Sequence, residues 1–250
     1  VQEVRDWRAW GVVALSLTCV GLLGAYLLMI TGQNHRTRHL VELRTAELAQ
    51  LAHFDSLTGL PNRSHWVARA HAALQNALRH HLELSVLFLD LDHFKHVNDT
   101  LGHTVGDRLL CEAAQRLLPC LRSDDVLARI GGDEFVALLP RVRKAEDTVT
   151  VAEKLIEAMN APIVIDRHDI QLSVSMGIAC FPRDGADLDT LLKHADTAMY
   201  VAKESGRNGY RFFEPEMNAR VSRRMFLEGS LRQALDLGQF FLVYQPQIAT

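Results

Sequence analysis

Gly131-Gly132-Asp133-Glu134-Phe135 stands between two apolar, β-rich runs, 125–130 and 135–139. That arrangement predicts a strand, a tight turn and a second strand, with glycine where positive φ is needed and two carboxylates at the tip. Adjacent acids at a turn repel each other, so the pattern points to a cation between them. A second acidic pair, Asp90 and Asp92, closes the run Ser85-Val86-Leu87-Phe88-Leu89. If that strand ends beside the hairpin tip on one sheet, Asp90, Asp133 and Glu134 converge as oxygen donors. Such a set suits Mg²⁺, which takes one or two protein carboxylates together with substrate phosphates, so a nucleoside triphosphate is the expected partner. Lys203 and Arg207, four apart at the end of a predicted helix, place two cations about one turn from each other, in reach of β- and γ-phosphates. Taken singly, each reads as a solvated surface charge. Asp92 reads at least as well as a structural carboxylate as it does as a ligand.

These residues need a frame. The sequence predicts a helix from Asn62 to about His80, started by the break at Gly59 and Pro61. The strand ending at Asp90 is apolar on both faces, as a central strand covered by helices must be. A short helix over 93–99, a stop at Gly102 and a helix over 104–118 precede the hairpin. A helix over 145–160, strands at 163–165 and 170–180, a helix over 188–203 with Ala195, Ala198, Met199 and Ala202 on a packing face, and a last strand at 210–213 complete the pattern. The order implies a compact α/β sandwich, an α+β arrangement with a central mixed sheet flanked by helices.

Composition narrows the function. The 250 residues are 48% hydrophobic and 23% charged, enough for a real core, and the formal net charge of −3 with no basic run argues against a nucleic-acid partner. Cys19, Cys111, Cys120 and Cys180 lack metal spacing and read as reduced, buried thiols of a cytoplasmic protein. Residues 10–30 carry no charge and predict a transmembrane helix, with Trp7 and Trp10 at one interface and Arg36, Arg38 and Arg44 beyond the other. A cleaved signal peptide is the weaker reading, because the apolar run is too long. The expectation is an inner-membrane protein with residues 1–9 ending an upstream extracytoplasmic region and everything after the span in the cytoplasm. Residues 33–54 predict a helical connector, either pairing with a second copy or lying along the membrane surface as an amphipathic helix.

Four ordered motifs carry a family resemblance. Asp55-Ser-Leu-Thr-Gly-Leu-Pro-Asn-Arg63, Asp90-Leu-Asp-His-Phe-Lys-His-Val-Asn-Asp99 with Gly102-His-Thr-Val-Gly-Asp107, Arg129-Ile-Gly-Gly-Asp-Glu-Phe135, and Ala195-Asp-Thr-Ala-Met-Tyr-Val-Ala-Lys-Glu-Ser-Gly-Arg-Asn208 together resemble the GGDEF family of diguanylate cyclases. The resemblance places that domain at 55–213 and implies a fold related to nucleotidyl cyclase and polymerase palm domains. It implies condensation of two GTP into cyclic di-GMP with release of pyrophosphate, across a homodimer, with two Mg²⁺ (or Mn²⁺) ions per active site. Asp90 and Asp133 match the metal ligands, with the Leu91 carbonyl assisting. Glu134 matches a position that either assists metal binding or helps deprotonate the attacking 3′-hydroxyl, and both roles stay open.

By the same resemblance, Asn98 and Asp107 read guanine, Phe94 belongs to the core side of that motif, Lys95 lies near phosphate, and Gly131 and Gly132 admit the nucleotide to the backbone. An Asp acceptor left unpaired by adenine costs about 1–3 kcal/mol, which favours GTP. Arg122-Ser-Asp-Asp125 stands where many members carry an RxxD site for inhibition by cyclic di-GMP. A guanidinium fork and a carboxylate suit a guanine dinucleotide, while the bland alternative is a surface ion pair. Ser64, Trp66 and Met176 depart from the commoner Arg, Phe and Ile without removing chemistry.

Residues 216–250 resemble the first helix and strand of an EAL phosphodiesterase domain, over too short a stretch for hydrolase activity. The alternative to a cyclase is a catalytically silent module that binds GTP or cyclic di-GMP and regulates a downstream EAL domain.

Overall fold

The structure, a computed structural model, describes residues 10–24, 26, 29, 52–142 and 144–243. The chain divides into two compact units, Val1–Ala52 and His53–Thr250.

In the first unit, residues 10–24 form a helix, α1, whose Trp10, Leu15, Leu17 and Leu22 are exposed. Among the described residues no helix is long and apolar enough to cross a membrane. The expected transmembrane helix over 10–30, the inner-membrane location and the membrane as partner are corrected accordingly: lack of charge set the expectation, and no described helix combines the length and apolarity that a span needs. Residues 1–9, 25, 27, 28 and 30, and connector residues 33–51, lie outside the described residues.

The second unit holds α2 (Arg63–His80), β1 (Glu83–Leu91), α3 (Phe94–Leu101), α4 (His103–Leu117), β2 (Val126–Gly131), β3 (Glu134–Val142), α5 (Ala145–Asn160), β4 (Ile163–Ile165), β5 (His168–Ile170), β6 (Val174–Phe181), α6 (Leu188–Glu204), β7 (Gly209–Phe212) and α7 (Pro215–Asp236). Five strands form a mixed sheet in the order β2-β3-β1-β6-β7. β1 pairs antiparallel with β3 and β6, and β7 runs parallel to β6.

Alternation along β1 divides the core. Leu84, Val86 and Phe88 face α2 and α6 with Trp66, Ala70, Leu74, Leu191 and Ala195. Leu87, Leu89 and Leu91 face the opposite side with Leu109, Leu110 and Leu117 of α4 and Leu155 and Met159 of α5. Both faces are covered, which is why β1 reads as a continuous apolar run. Parity then sends Asp90 to the α6 side, toward the last turn of that helix. α6 lies directly on β6 because Gly177 has no side chain: a Cβ there would stand 1.9 Å from the Ala195 carbonyl oxygen.

Several boundaries differ from expectation. The single strand over 170–180 is two: Ile170 pairs with Ile163 in the small β4–β5 ribbon, and β6 starts at Val174. Cys19 is exposed and Cys111, Cys120 and Cys180 are half-buried, all free thiols rather than buried ones. Trp66 and Met176, two of the departures from the commoner residues, are fully buried. α7 is one helix of 22 residues, and residues 241–243 are not strand, while 244–250 lie outside the described residues.

Candidate active site

The hairpin forms as the sequence predicts. Its turn is Gly132-Asp133, with Gly132 at φ +54 and a bulge in the β2–β3 register between Arg129 and Gly131. Gly131 needs no left-handed backbone, so only one of the two glycines is conformationally required there. In the β1–β3 ladder Asp90 is the direct partner of Glu134, and the Leu91 N–H donates to the Asp133 carbonyl at 3.3 Å. Asp90, Leu91, Asp133 and Glu134 therefore meet where the end of β1 and the hairpin tip lie side by side.

The charges at this corner are poorly compensated. Burial pushes the Asp90 carboxyl up to about 6, and repulsion from Asp133 and Asp92 adds to the rise, against the opposing pull of Lys203. The Lys203 ammonium meets Asp90 Oδ2 at 2.7 Å. Glu134 is also raised, first by burial and then by Asp196 and Asp133. Asp196, on α6, is itself raised by burial. It shares with Glu134, Arg63, Trp66 and Phe88 a cavity of about 370 Å³. Sequence reasoning quoted Asp196 within a motif and gave it no role; its place seven residues before Lys203, two turns along one helix face, was the available signal.

A divalent ion fits this donor set. Among the described residues no three His, Cys, Asp or Glu side chains gather at ligating distance. Mg²⁺ does not require three, since substrate phosphates and water commonly complete its shell around one or two carboxylates. The carboxylates of Asp90 and Asp133 and the Leu91 carbonyl would supply hard oxygens, and a cation there would relieve the repulsion that Asp133 and Asp92 exert on the Asp90 carboxylate.

The predicted phosphate cations part company. α6 ends at Glu204, so Arg207 lies in the following loop with φ +62, not one helical turn beyond Lys203. Its Nε stands 4.0 Å from Asp92 Oδ1, while Lys203 sits on Asp90. Asp92 has the surroundings of a structural group, since its carboxylate accepts from the hydroxyls of Ser173 and Ser175 at 2.6 and 2.7 Å.

The residues expected to read the base lie on α3 and α4. Gly106 leaves the space that the Asn98 side chain fills: a Cβ at 106 would stand 1.8 Å from Asn98 Oδ1. That buried oxygen has no hydrogen-bond partner among the described residues, and the next residue, Asp107, is exposed. A buried acceptor without a donor is costly, and a ligand N–H would relieve it. Phe94 is buried beneath them and Lys95 is exposed on α3.

Two residues of the motifs hold the hairpin rather than the ligand. Arg129 donates through Nε and Nη2 to the Gly132 carbonyl at 3.0 and 2.8 Å, and through Nη1 to both oxygens of Asp55 at 3.0 Å. Burial raises the Asp55 carboxyl, but hydrogen bonds from the Thr58 hydroxyl and N–H and the Arg129 guanidinium bring it net below its ordinary value. The Asp-x-x-Thr spacing of 55–58, a turn signature, signals the local Asp55–Thr58 bonds and not the pairing with Arg129.

At the other end of β2, the Arg122 N–H donates to Asp125 Oδ2 at 2.9 Å. A cavity of about 490 Å³ opens there, lined by Arg122, Asp125, Arg141 and Asp147 among others. Arg141, a second cation for this cavity, was not singled out from the sequence.

The model of the family described as "Diguanylate cyclase, GGDEF domain" matches residues 52–209. The bifunctional diguanylate cyclase/cyclic di-GMP phosphodiesterase MucR of Pseudomonas aeruginosa is 42% identical over 247 residues, 98% of this chain and 36% of its own length. The solved GGDEF domain of TpbB (YfiN) from P. aeruginosa covers 68% of this chain and 99% of its own, at 40% identity and a TM-score of 0.66. The coiled coil and GGDEF domain of DgcB from Caulobacter crescentus, solved in complex with c-di-GMP, covers 76% of this chain and 98% of its own, at 27% identity and a TM-score of 0.64. The chain spans little more than a third of the length of MucR. A palm-like sheet with the acidic hairpin beside β1, a family match over most of the folded unit and solved GGDEF domains of the same fold lead to one conclusion: this chain belongs to the GGDEF diguanylate cyclase family.

Proposed function

We propose that this chain is a diguanylate cyclase that joins two GTP molecules into cyclic di-GMP, one GTP on each of two facing copies. The observation that carries the reading is the under-compensated corner at which Asp90, Asp133 and Glu134 meet Lys203. In each of two equivalent steps a 3′-hydroxyl oxygen attacks the α-phosphorus of the opposite GTP. The bond to the β-phosphate breaks, pyrophosphate leaves, and the hydroxyl proton passes to a base. Two such steps close the ring and release two pyrophosphates.

Asn98 and Asp107 hold the guanine in this reading, with Phe94 supporting the helix beneath them. Lys203, Arg207 and Lys95 bind the phosphates, and the side-chain-free surface of Gly131 and Gly132 lets the nucleotide approach the backbone. Asp90, Asp133 and the Leu91 carbonyl hold two divalent ions, Mg²⁺ or Mn²⁺, with Glu134 either a further ligand or the proton acceptor. Cyclases of this family use divalent metal ions, which when bound lower the pKa of the attacking hydroxyl and neutralise charge on the phosphates. One guanine pair and one acidic corner per copy serve one GTP, so the reaction requires a second copy opposite.

Arg122 and Asp125 form the site at which the product inhibits, with Arg141 beside them. The catalytic unit covers 55–213. Dilution tests the dimer: turnover per mole of protein rises with protein concentration, and a rate per mole that is constant down to the lowest concentrations contradicts the two-copy reaction.

A further inference from the structure

Asp92 is a fully buried charge whose partners come from two separate segments. From the segment leading into β6, Ser173 Oγ–H donates to Oδ2 at 2.6 Å, and from β6 itself Ser175 Oγ–H donates to Oδ1 at 2.7 Å. The Asp92 N–H in turn donates to the Ser173 carbonyl at 2.9 Å. From the loop after α6, the Asn208 N–H donates to Oδ2 at 3.2 Å, and Arg207 Nε lies 4.0 Å from Oδ1.

That loop is unusual. Gly206, Arg207 and Asn208 have φ of +117, +62 and +44, three left-handed residues in succession, two of them not glycine. Such backbone persists only where the surroundings over-determine it. On its α6 side the loop is tied by the Arg207 N–H to the Ala202 carbonyl at 3.2 Å. On its β1 side the tie is Asp92. The Arg207 side chain is half exposed, and its Nε is the nitrogen 4.0 Å from Asp92, an ion pair beyond hydrogen-bond reach, so the guanidinium keeps donors for a further partner.

We infer that Asp92 is a positioning residue for the triphosphate: it clamps the left-handed loop 206–208 to the end of β1 and so aims Arg207 at the phosphates beside Lys203. The inference rests on the reading of Lys203 and Arg207 as phosphate cations. It makes Asp92 an agent that acts through Arg207 and touches no substrate itself. Asp92→Asn keeps the shape and one acceptor oxygen but loses the charge that holds Arg207 and one of the oxygens that gathers the donors.

The test is nucleotide binding to the whole chain in EDTA, where no turnover interferes, with GTP and GMP as the two probes. GMP lacks the phosphates that Arg207 would meet. Asp92→Asn is expected to weaken GTP binding about tenfold, and Ser175→Ala, a milder variant that keeps the fold, about threefold, with GMP binding unchanged in both. Arg207→Ala should weaken GTP binding at least as much, and the Asp92→Asn/Arg207→Ala double variant should be no weaker than Arg207→Ala alone. Equal losses for GTP and GMP in Asp92→Asn and Ser175→Ala overturn the inference, as does unchanged GTP binding in both of them beside a weakened Arg207→Ala. Unchanged GTP binding in Arg207→Ala overturns the phosphate reading itself, and the clamp with it.

Discussion

The two ends of β2 carry opposite electrostatic situations. Beyond Gly131, the carboxyls of Asp90 and Glu134 are crowded, partly buried and raised, with Lys203 as the cation in contact. Before Val126, Arg122 and Arg141 stand among Asp124, Asp125 and Asp147 around an open cavity, and the ion pair there, Arg141 with Asp124 at 3.6 Å, is mostly exposed. Asp125 is raised too, chiefly by burial, but its carboxylate is tied down by its own loop through the Arg122 N–H. The first end is built to receive added positive charge and the second to receive a polar ligand that brings its own donors. Uncompensated charge at a folded site is a cost kept for a use, and under the proposed function chemistry falls to the first end and regulation to the second.

The largest effect on the acidic end of β2 comes from the hairpin. Asp133→Ala with Glu134→Ala should lower turnover by roughly a thousandfold or more, because it removes preorganised charge at the reacting phosphate. Thermal unfolding of the double variant should stay close to that of the parent, because Asp133 lies at the turn and Glu134, at the first residue of β3, is half-buried among like charges; loss of folding would contradict a purely functional role. Arg129→Ala is the next largest. It releases the Gly132 carbonyl and leaves Asp55 without its guanidinium, and it should cost about 2 kcal/mol in a urea titration together with a fall in turnover.

The same brace predicts an acid effect. The Asp55 carboxyl is lower in the folded chain than in the unfolded one, so its contribution is complete above the unfolded value near 3.9 and is lost as pH falls through the folded value. The stability difference between parent and Arg129→Ala should therefore shrink as urea titrations move from pH 6 toward pH 3. At the other end of β2, Arg122→Ala should raise by about tenfold the cyclic di-GMP concentration that halves the rate. Unchanged inhibition would remove the regulatory assignment. The smallest effect belongs to α7, where Arg220→Ala removes an ion pair to Glu204 at 3.6 Å that is exposed on the arginine side, and should lower stability by less than about 1 kcal/mol.

Much of this was legible in the residues. The acidic hairpin, the doubly buried β1 and a helix starting near Asn62 follow from local pattern and turn chemistry, and the structure adds the cap, the Asn62 side chain accepting from the His65 N–H at 3.0 Å. What pattern does not give is three-dimensional pairing over long separations. Arg129 reaching Asp55, Asp92 reaching Asn208, and the displacement of Arg207 from α6 into a left-handed loop all depend on how the sheet brings distant segments together. The segment over 10–30 shows a different limit: an uncharged run describes composition, and a span also needs helical length, which the described residues do not supply.

The most direct test of the account is to incubate the purified chain with GTP and Mg²⁺ and to identify the products by mass. A two-copy cyclase yields cyclic di-GMP with two pyrophosphates for each molecule formed. GTP that binds but yields no cyclic dinucleotide at any protein concentration would contradict it and make the domain a binding module.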